Sequence, residues 1–248
     1  MNLFYNIEES FNELKSKLDT LYHEKPLQSK SRTNNEYGYF IEEYLGIKKN
    51  ELPIADYCGI EIKCINNKSK YPIKLFSSEF DGDGIFLSKE LFNKYSIETE
   101  NQRKAFCHIF STDKYTYLND RLFGKLRVDY KKNIVVLEIT FRGRVIESKY
   151  YWTFNSLYNR IQNKLSYISI VEYDSEYANG HKYYSLNKYS FYKLRSCHDF
   201  INMLAAGKIG VSCSMSSFID ENNNEKLHNR GFSFFIKKEY LNKLFIKI

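Results

Sequence analysis

The stretch ADYCGIEIKC, at residues 55–64, places two acids and a lysine on a segment that is otherwise typical of a buried strand. Side chains two residues apart on a strand point to the same face. We therefore expect Glu61 and Lys63 to share one face, with Asp56 five residues before Glu61. The opposite face is expected to carry the apolar side chains and thiols of this stretch: Cys58, Ile60, Ile62 and Cys64.

Asp56 and Glu61, together with Glu42 on a helix predicted just before this strand, suit a metal site. Carboxylate oxygens are ligands that Mg²⁺ prefers, and the ion keeps several waters and usually takes only one or two carboxylates. The backbone carbonyl of Ile62 would add a further ligand. A metal here would polarise a phosphoryl oxygen, lower the pKa of a bound water and orient its attack. Lys63 would stabilise the developing charge or orient that water.

The same residues also fit a surface strand without chemistry. A Glu-x-Lys pair is common on the solvent-exposed face of a strand, and D-x4-E-x-K alone is a weak signal. Three features favour the chemical interpretation. The opposite face is apolar, a helix that carries Glu42 comes immediately before, and the chain is basic.

Length and charge set limits on the class of protein. The 248 residues, 43% of them hydrophobic, suffice for one large domain or one domain in two lobes. A formal net charge of +7 and a pI of about 8.9 favour a polyanionic partner such as nucleic acid or an anionic membrane surface, although many cytosolic proteins are mildly basic. The five cysteines are odd in number and irregularly spaced, which predicts reduced thiols in a cytosolic protein. We expect neither a signal peptide nor a membrane-spanning helix.

Periodicity predicts helices around a mostly β core, with the second half of the chain richer in strands. One amphipathic helix is expected over about 6–22 and another over about 36–46, where Gly46 suits the C-terminal cap. DGDG at 81–84 marks a turn that fails as a calcium loop. Further predicted elements are a hairpin at 125–141 with its turn at 131–133, helices at 154–165 and 197–209, and strands at 167–173, 181–186, 211–217 and 231–237.

The acidic stretch resembles a known nuclease motif. Asp56, Glu61 and Lys63 are similar to the PD-(D/E)xK motif, with Ala55 where that motif often has proline. GYFIEEYLGI followed by ADYCGIEIK resembles the start of the MutH-like nucleases, in which a helix carries G-x-x-x-E ahead of the motif strands. In this sequence that pattern falls at residues 38 and 42.

The resemblance extends over most of the chain from about residue 34 onward. Successive blocks resemble the MvaI/BcnI restriction enzymes in the same order: IVVLEITF, YYWTFNSLYNRIQNKLSYISIV, HKYYSLNKYSF and HNRGFSFFIKKEYLNKLF. The last block is also similar to the end of MutH. This collinear order is far more specific than the short motif.

The resemblance implies a restriction-endonuclease-like α/β fold in two lobes with DNA in the cleft between them. Residues 1–110 would form mainly the catalytic lobe and 111–248 mainly the recognition lobe, with part of the sheet core returning in the second half. Glu42, Asp56, Glu61 and Lys63 would be catalytic, and Asp56, Glu61 and the carbonyl of Ile62 would hold Mg²⁺, with Mn²⁺ able to substitute. The protein would act as a monomer on double-stranded DNA, with a DNA methyltransferase as functional partner but no stable complex.

Recognition of the DNA sequence is expected near the C-terminus, where the polar segment IDENNNEKLHNR at 219–230 separates two predicted strands. Asn, His, Lys and Arg side chains hydrogen-bond base edges in the major groove. His228 and Arg230 match polar positions of the family's recognition block, and Arg230 is the first candidate for a guanine or phosphate contact. The predicted DNA contacts are Lys30, Arg32, Ser214, Ser216, Asn222, Lys226, His228 and Arg230. The alternative is an ordinary solvated hairpin loop.

This sequence departs from the family on the strand before that segment. VSCSMSS carries serines at 212, 214 and 216, where the MvaI-like enzymes carry charged residues. Serine discriminates poorly between bases. We therefore expect a recognition site that differs from those of the named enzymes.

Three functions remain open at this level. The first is a type II restriction endonuclease that hydrolyses phosphodiester bonds with Mg²⁺. The second is a MutH-like mismatch-repair nickase, which would need a partner and would leave one strand intact. The third is a DNA-binding protein that has lost catalysis, which the intact acid and lysine set argues against. A Cys–His nucleophile at 107–108 or 197–198 is a remote alternative, because adjacent strand residues point in opposite directions.

Overall fold

The computed structural model describes residues 6–29, 36–47, 54–99, 103–221 and 224–248. These residues form the mixed α/β fold that the sequence predicts, with three β-sheets. The helices are α1 (Ile7–Tyr22), α2 (Glu36–Tyr44), α3 (Gly84–Tyr95), α4 (Phe154–Leu165), α5 (Cys197–Ala205) and α6 (Leu241–Leu244), with a 3₁₀ turn at Lys238–Tyr240. The strands are β1 (Leu27–Gln28), β2 (Ile60–Asn66), β3 (Ile73–Ser77), β4 (Ile97–Glu98), β5 (Lys104–Phe110), β6 (Thr116–Tyr117), β7 (Leu122–Asp129), β8 (Ile134–Phe141), β9 (Arg144–Thr153), β10 (Tyr167–Ala178), β11 (His181–Leu194), β12 (Ile209–Ile219), β13 (Glu225–Ile236) and β14 (Phe245–Lys247).

The chain divides into two units, each discontinuous in sequence. Unit 1 comprises the described residues of Met1–Ile73, Arg160–Arg195 and Asn242–Ile248. Unit 2 comprises those of Lys74–Asn159 and Ser196–Leu241. The predicted lobe boundary near residue 110 falls inside unit 2, so the units do not follow that boundary. The roles assigned to the two lobes stay predictions.

Unit 1 contains one sheet with the order β1-β11-β10-β2, and β14 pairs with β11. Strands β10 and β2 are parallel, with Tyr167 opposite Ile60 and Tyr173 opposite Asn66. Helices α1 and α2 contribute to a core with this sheet, because their apolar residues recur at helical spacing. The predicted bounds of both helices are confirmed to within two residues, and Gly46 takes the left-handed conformation (φ +73°) expected at a helix end.

Unit 2 contains a sheet with the order β3-β13-β12-β5-β4 and a second with the order β6-β7-β8-β9. Trp152 is fully buried, and its indole nitrogen donates to the carbonyl of Ser78 at 3.2 Å. Around it pack the aromatic rings of Phe80, Phe232 and Phe234. The predicted hairpin at 125–141 is confirmed as β7 and β8.

One prediction of local structure is wrong. The segment 219–230 is not mainly a loop, because β13 begins at Glu225 and pairs with β12. The predicted DGDG turn leads directly into α3, where the Asp83 side chain accepts a hydrogen bond from the Phe86 N–H at the start of the helix. Among the helices of the described ranges, none combines the length and apolar character needed to cross a membrane.

Leu18 tests the packing of α1, because its side chain is completely buried in the core of unit 1. We expect Leu18→Ala to lower the free energy of unfolding by about 2–5 kcal/mol, through lost apolar burial and a residual cavity. Urea denaturation followed by circular dichroism measures this change. Lys15→Ala, at an exposed position of the same helix, should change stability by less than about 0.5 kcal/mol. Equal effects of the two substitutions would contradict this packing.

Candidate active site

A tight turn brings the two predicted acids together. The backbone N–H and carbonyl groups of Tyr57 and Ile60 bond each other at 2.9 and 2.7 Å, around Cys58 (φ +43°) and Gly59 (φ +87°). Positive φ at both central residues is the geometry of a type I′ turn. The turn reverses the chain before β2, and the Ile62 N–H donates to Asp56 Oδ2 at 3.1 Å.

This turn corrects one prediction. Cys58 lies in the turn and not on the apolar face of the strand with Ile60 and Ile62. Ile60 and Ile62 are buried as expected, in the core that includes α1 and α2.

Glu61 is buried at the start of β2, with 2% of its side chain exposed. Lys63, on the same strand face, donates to Glu61 Oε1 at 2.6 Å. The structure thus brings Asp56, Glu61 and Lys63 into one cluster. Their catalytic and metal-binding roles stay predictions.

A second lysine completes this cluster, and the sequence analysis missed it. Lys164 Nζ donates to both carboxylate oxygens of Glu61 at 3.0 Å and lies 3.8 Å from Asp56 Oδ1. Lys164 belongs to the last turn of α4, whose end lies near the start of β2 because β10 follows α4 and runs parallel to β2. The Ala55 N–H donates to the carbonyl of Asn163 at 3.0 Å, which satisfies a carbonyl that lacks a partner within the helix.

Opposing effects act on the Glu61 carboxyl. Burial raises its pKa above the ordinary value, and the charge of Asp56 adds to the rise, whereas Lys63 and Lys164 oppose it. The ionised carboxylate therefore depends on positive charge beside it. Two close carboxylates match the donor chemistry of a Mg²⁺ site.

The carboxylates available for a metal are few. Within the described ranges, no group of three or more His, Cys, Asp or Glu side chains is arranged to hold a metal ion. Asp56, Glu61 and the Ile62 carbonyl nevertheless fit Mg²⁺, because this ion usually takes only one or two protein carboxylates and keeps several waters.

Glu42 is half-buried on α2. Burial raises the pKa of the Cys64 thiol, on β2, to about 12, and the charge of Glu42 contributes to this rise. Glu42 therefore lies near β2. Whether it takes part in catalysis stays a prediction.

The predicted DNA contacts fall mainly on two neighbouring strands of unit 2. Lys226, His228 and Arg230 are exposed at alternate positions of β13, and His228 pairs with Ser216 of β12. Lys226 forms an ion pair with Asp220 at 2.8 Å. Ser214 and Ser216 are half-buried on β12. Three predicted contacts lie outside the described residues: Lys30, Arg32 and Asn222.

A polar anchor holds β13 next to Arg230. Asn229 donates to Glu79 Oε1 at 3.2 Å, while Ser88 donates to Glu79 Oε2 at 2.6 Å. The Asn229 side chain also accepts from the Gly231 N–H at 2.8 Å. Gly231 has φ +72°, and the pairing of β13 with β12 is irregular at this point. Arg230 thus projects from a backbone whose neighbours on both sides are fixed.

Comparisons with known proteins identify a family and a similar fold. Residues 15–245 match the sequence model of the MvaI/BcnI restriction endonuclease family. The fold is similar to that of restriction endonuclease MvaI in a complex with its cognate DNA substrate, with a TM-score of 0.87 and 24% identity over 97% of this chain and 98% of that one. MvaI in the absence of DNA aligns with a TM-score of 0.62 and 22% identity over 97% of each chain. A search of curated proteins found no match.

Glycine substitutions test the anchor at β13. We expect Gly231→Ala to lower the free energy of unfolding by about 1–3 kcal/mol, because the new methyl group meets a left-handed backbone and lies 3.1 Å from Glu79 Oε1. Gly38→Ala, in helix α2 with open space around it, should instead raise stability by about 0.5–1 kcal/mol. Thermal unfolding distinguishes the two signs. A neutral or stabilising Gly231→Ala would contradict the strained position.

Proposed function

Because the chain belongs to the MvaI/BcnI restriction endonuclease family, we propose that it is a type II restriction endonuclease. It would hydrolyse phosphodiester bonds at a specific sequence of double-stranded DNA, with Mg²⁺ as cofactor and Mn²⁺ as a substitute. The convergence of Asp56, Glu61 and Lys63 at the start of β2 carries the proposal, since these residue types suit metal-assisted hydrolysis.

The residues of the cluster have distinct roles in this proposal. Asp56, Glu61 and the Ile62 carbonyl would hold the metal. When bound, the metal supplies Lewis acidity to the phosphoryl oxygen and lowers the pKa of water. The Ile62 N–H fixes the Asp56 carboxylate, and Lys63 fixes the orientation of Glu61.

Lys63 would also act on the reacting phosphate. Its ammonium group would orient the attacking water and stabilise the negative charge that develops as the bond from phosphorus to the leaving oxygen breaks. Because Lys63 is mostly buried beside Glu61, its charge is less screened than that of a surface lysine.

Recognition would involve the exposed side chains of β13. Arg230 has the planar fork that pairs with guanine O6 and N7, and the Glu79–Asn229 anchor supports its backbone. We also propose that the protein acts as a monomer in the bacterial cytoplasm, beside a DNA methyltransferase that protects the host site.

Cleavage of a long, sequenced, unmethylated DNA tests the catalytic proposal. We expect discrete fragments with Mg²⁺, none with EDTA, and at least about a 100-fold slower reaction in Glu61→Gln, because the amide loses the charge that would bind the metal. Glu8→Gln, at an exposed position of α1, should cleave like the wild type.

Two other outcomes would replace this proposal. Nicks in one strand only would indicate the repair nickase. Salt-sensitive binding to DNA without cleavage of any unmethylated substrate would indicate the catalytically inactive binding protein.

Arg230→Ala tests recognition. We expect it to weaken binding to the cleaved sequence by about 1–3 kcal/mol more than binding to unrelated DNA, because a base contact is lost in addition to charge. Fluorescence anisotropy with Ca²⁺ in place of Mg²⁺ measures both affinities. Lys237→Ala, which removes a charge just after β13, should weaken both equally. An equal loss on both DNAs in Arg230→Ala would assign Arg230 to the phosphate backbone.

A further inference from the structure

The ammonium group of Lys164 lies between the two carboxylates that would hold the metal. It donates to both oxygens of Glu61 at 3.0 Å and stands 3.8 Å from Asp56 Oδ1. The side chain of Lys164 is 20% exposed and that of Glu61 only 2%. Lys164 is therefore part of the cluster itself and not a surface lysine that passes nearby.

The fold of unit 1 holds Lys164 in this place. The bond from Ala55 to Asn163 ties the segment before Asp56 to the last turn of α4. The parallel pairing of β10 with β2 starts with Tyr167 opposite Ile60, three residues after Lys164. A cation is also favoured at the C-terminal end of a helix by the helix dipole.

The charges of the cluster balance without a metal. Asp56 and Glu61 contribute two negative charges, and Lys63 and Lys164 contribute two positive charges. A divalent cation added to this balanced set would leave a surplus of two positive charges in a poorly hydrated site. Such a surplus is costly because charges in a protein interior are weakly screened.

The two lysines do not compete equally with a metal. Lys63 bonds only Oε1 of Glu61, whereas Lys164 bonds both Oε1 and Oε2 and also faces Asp56. Without Lys164, Glu61 Oε2 and Asp56 Oδ1 would be available to a common ligand. Lys164 thus covers the oxygens that a metal would need.

We propose that Lys164 occupies the cation position between Asp56 and Glu61 and that a divalent metal binds by displacing its ammonium group. This inference rests on the proposed function, because it takes Asp56 and Glu61 as metal ligands. The displaced ammonium would be free to bind a phosphate group of the DNA. Metal and DNA would then bind cooperatively, because the phosphate supplies the negative charge that Lys164 gives up.

Binding of Mn²⁺ in the absence of DNA, followed by electron paramagnetic resonance, tests this competition without any turnover. We expect Lys164→Met to bind Mn²⁺ at least about tenfold more tightly than the wild type, because the competing charge is gone. Lys164→Arg, which keeps the charge, should bind as weakly as the wild type. Lys188→Met removes an equivalent charge from the Lys188–Glu172 pair of the same unit and should leave Mn²⁺ affinity unchanged.

The melting temperature provides a second test of the proposal. In EDTA, Lys164→Met should unfold at a lower temperature than the wild type, because Asp56 and Glu61 lose one of their two cations. Added Mn²⁺ should raise the melting temperature of Lys164→Met more than that of the wild type, since ligand stabilisation follows affinity. If Lys164→Met does not fold, Lys164→Gln replaces it in both measurements, because its amide removes the charge and still donates a hydrogen bond.

The proposal would be overturned if Lys164→Met and Lys164→Gln bind Mn²⁺ no more tightly than the wild type. That result would leave the proposed function untouched if the wild type still cleaves DNA with Mg²⁺. Failure of the wild type to cleave would overturn the function instead, and the two measurements are independent.

Discussion

The buried carboxylate of Glu61 sets the main constraint on unit 1. A carboxylate that is withdrawn from water stays ionised only if positive charge and hydrogen-bond donors replace the lost hydration. Lys63 on the same strand and Lys164 on α4 supply three close contacts to its two oxygens. The elements that carry these lysines must therefore meet at the start of β2.

The parallel pair of β2 and β10 provides that meeting point. A parallel strand needs a crossover connection, so the end of the preceding helix comes to the edge at which both strands begin. The type I′ turn at Cys58 and Gly59 then returns Asp56 to the same edge. Backbone hydrogen bonds thus bring the segments that carry these charges together.

In unit 2, hydrogen bonds between polar side chains hold β13, the proposed recognition strand, in place. From Lys226 to Arg230, exposed residues of β13 alternate with half-buried ones. The half-buried Asn229 donates to the carboxylate of Glu79, which also accepts a hydrogen bond from Ser88. The half-buried Ser214 and Ser216 lie on β12, the strand that pairs with β13.

The sequence by itself determined the helices α1 and α2, the strand that carries Glu61 and Lys63, the hairpin of β7 and β8 and the family resemblance. These features depend on neighbours in the chain: apolar spacing, a capping glycine, alternation on a strand and the order of motifs. Asp83 directly precedes α3 and is a residue type that favours an N-cap. The glycines around it led to the prediction of a turn without a helix after it. The start of β13 at Glu225 was not predicted, because the mostly polar residues at 225–230 are typical of a loop. They form a strand here because they pair with β12.

Only the tertiary structure decided the place of Lys164, which is 103 residues from Glu61 in the chain. Its sequence context is that of an ordinary lysine near a helix end. Its contact with Glu61 follows from the parallel register of β10 against β2, which is set by burial and backbone pairing across the whole unit. Local patterns therefore identified the acids of the site, whereas the long-range strand register selected the cation that balances them.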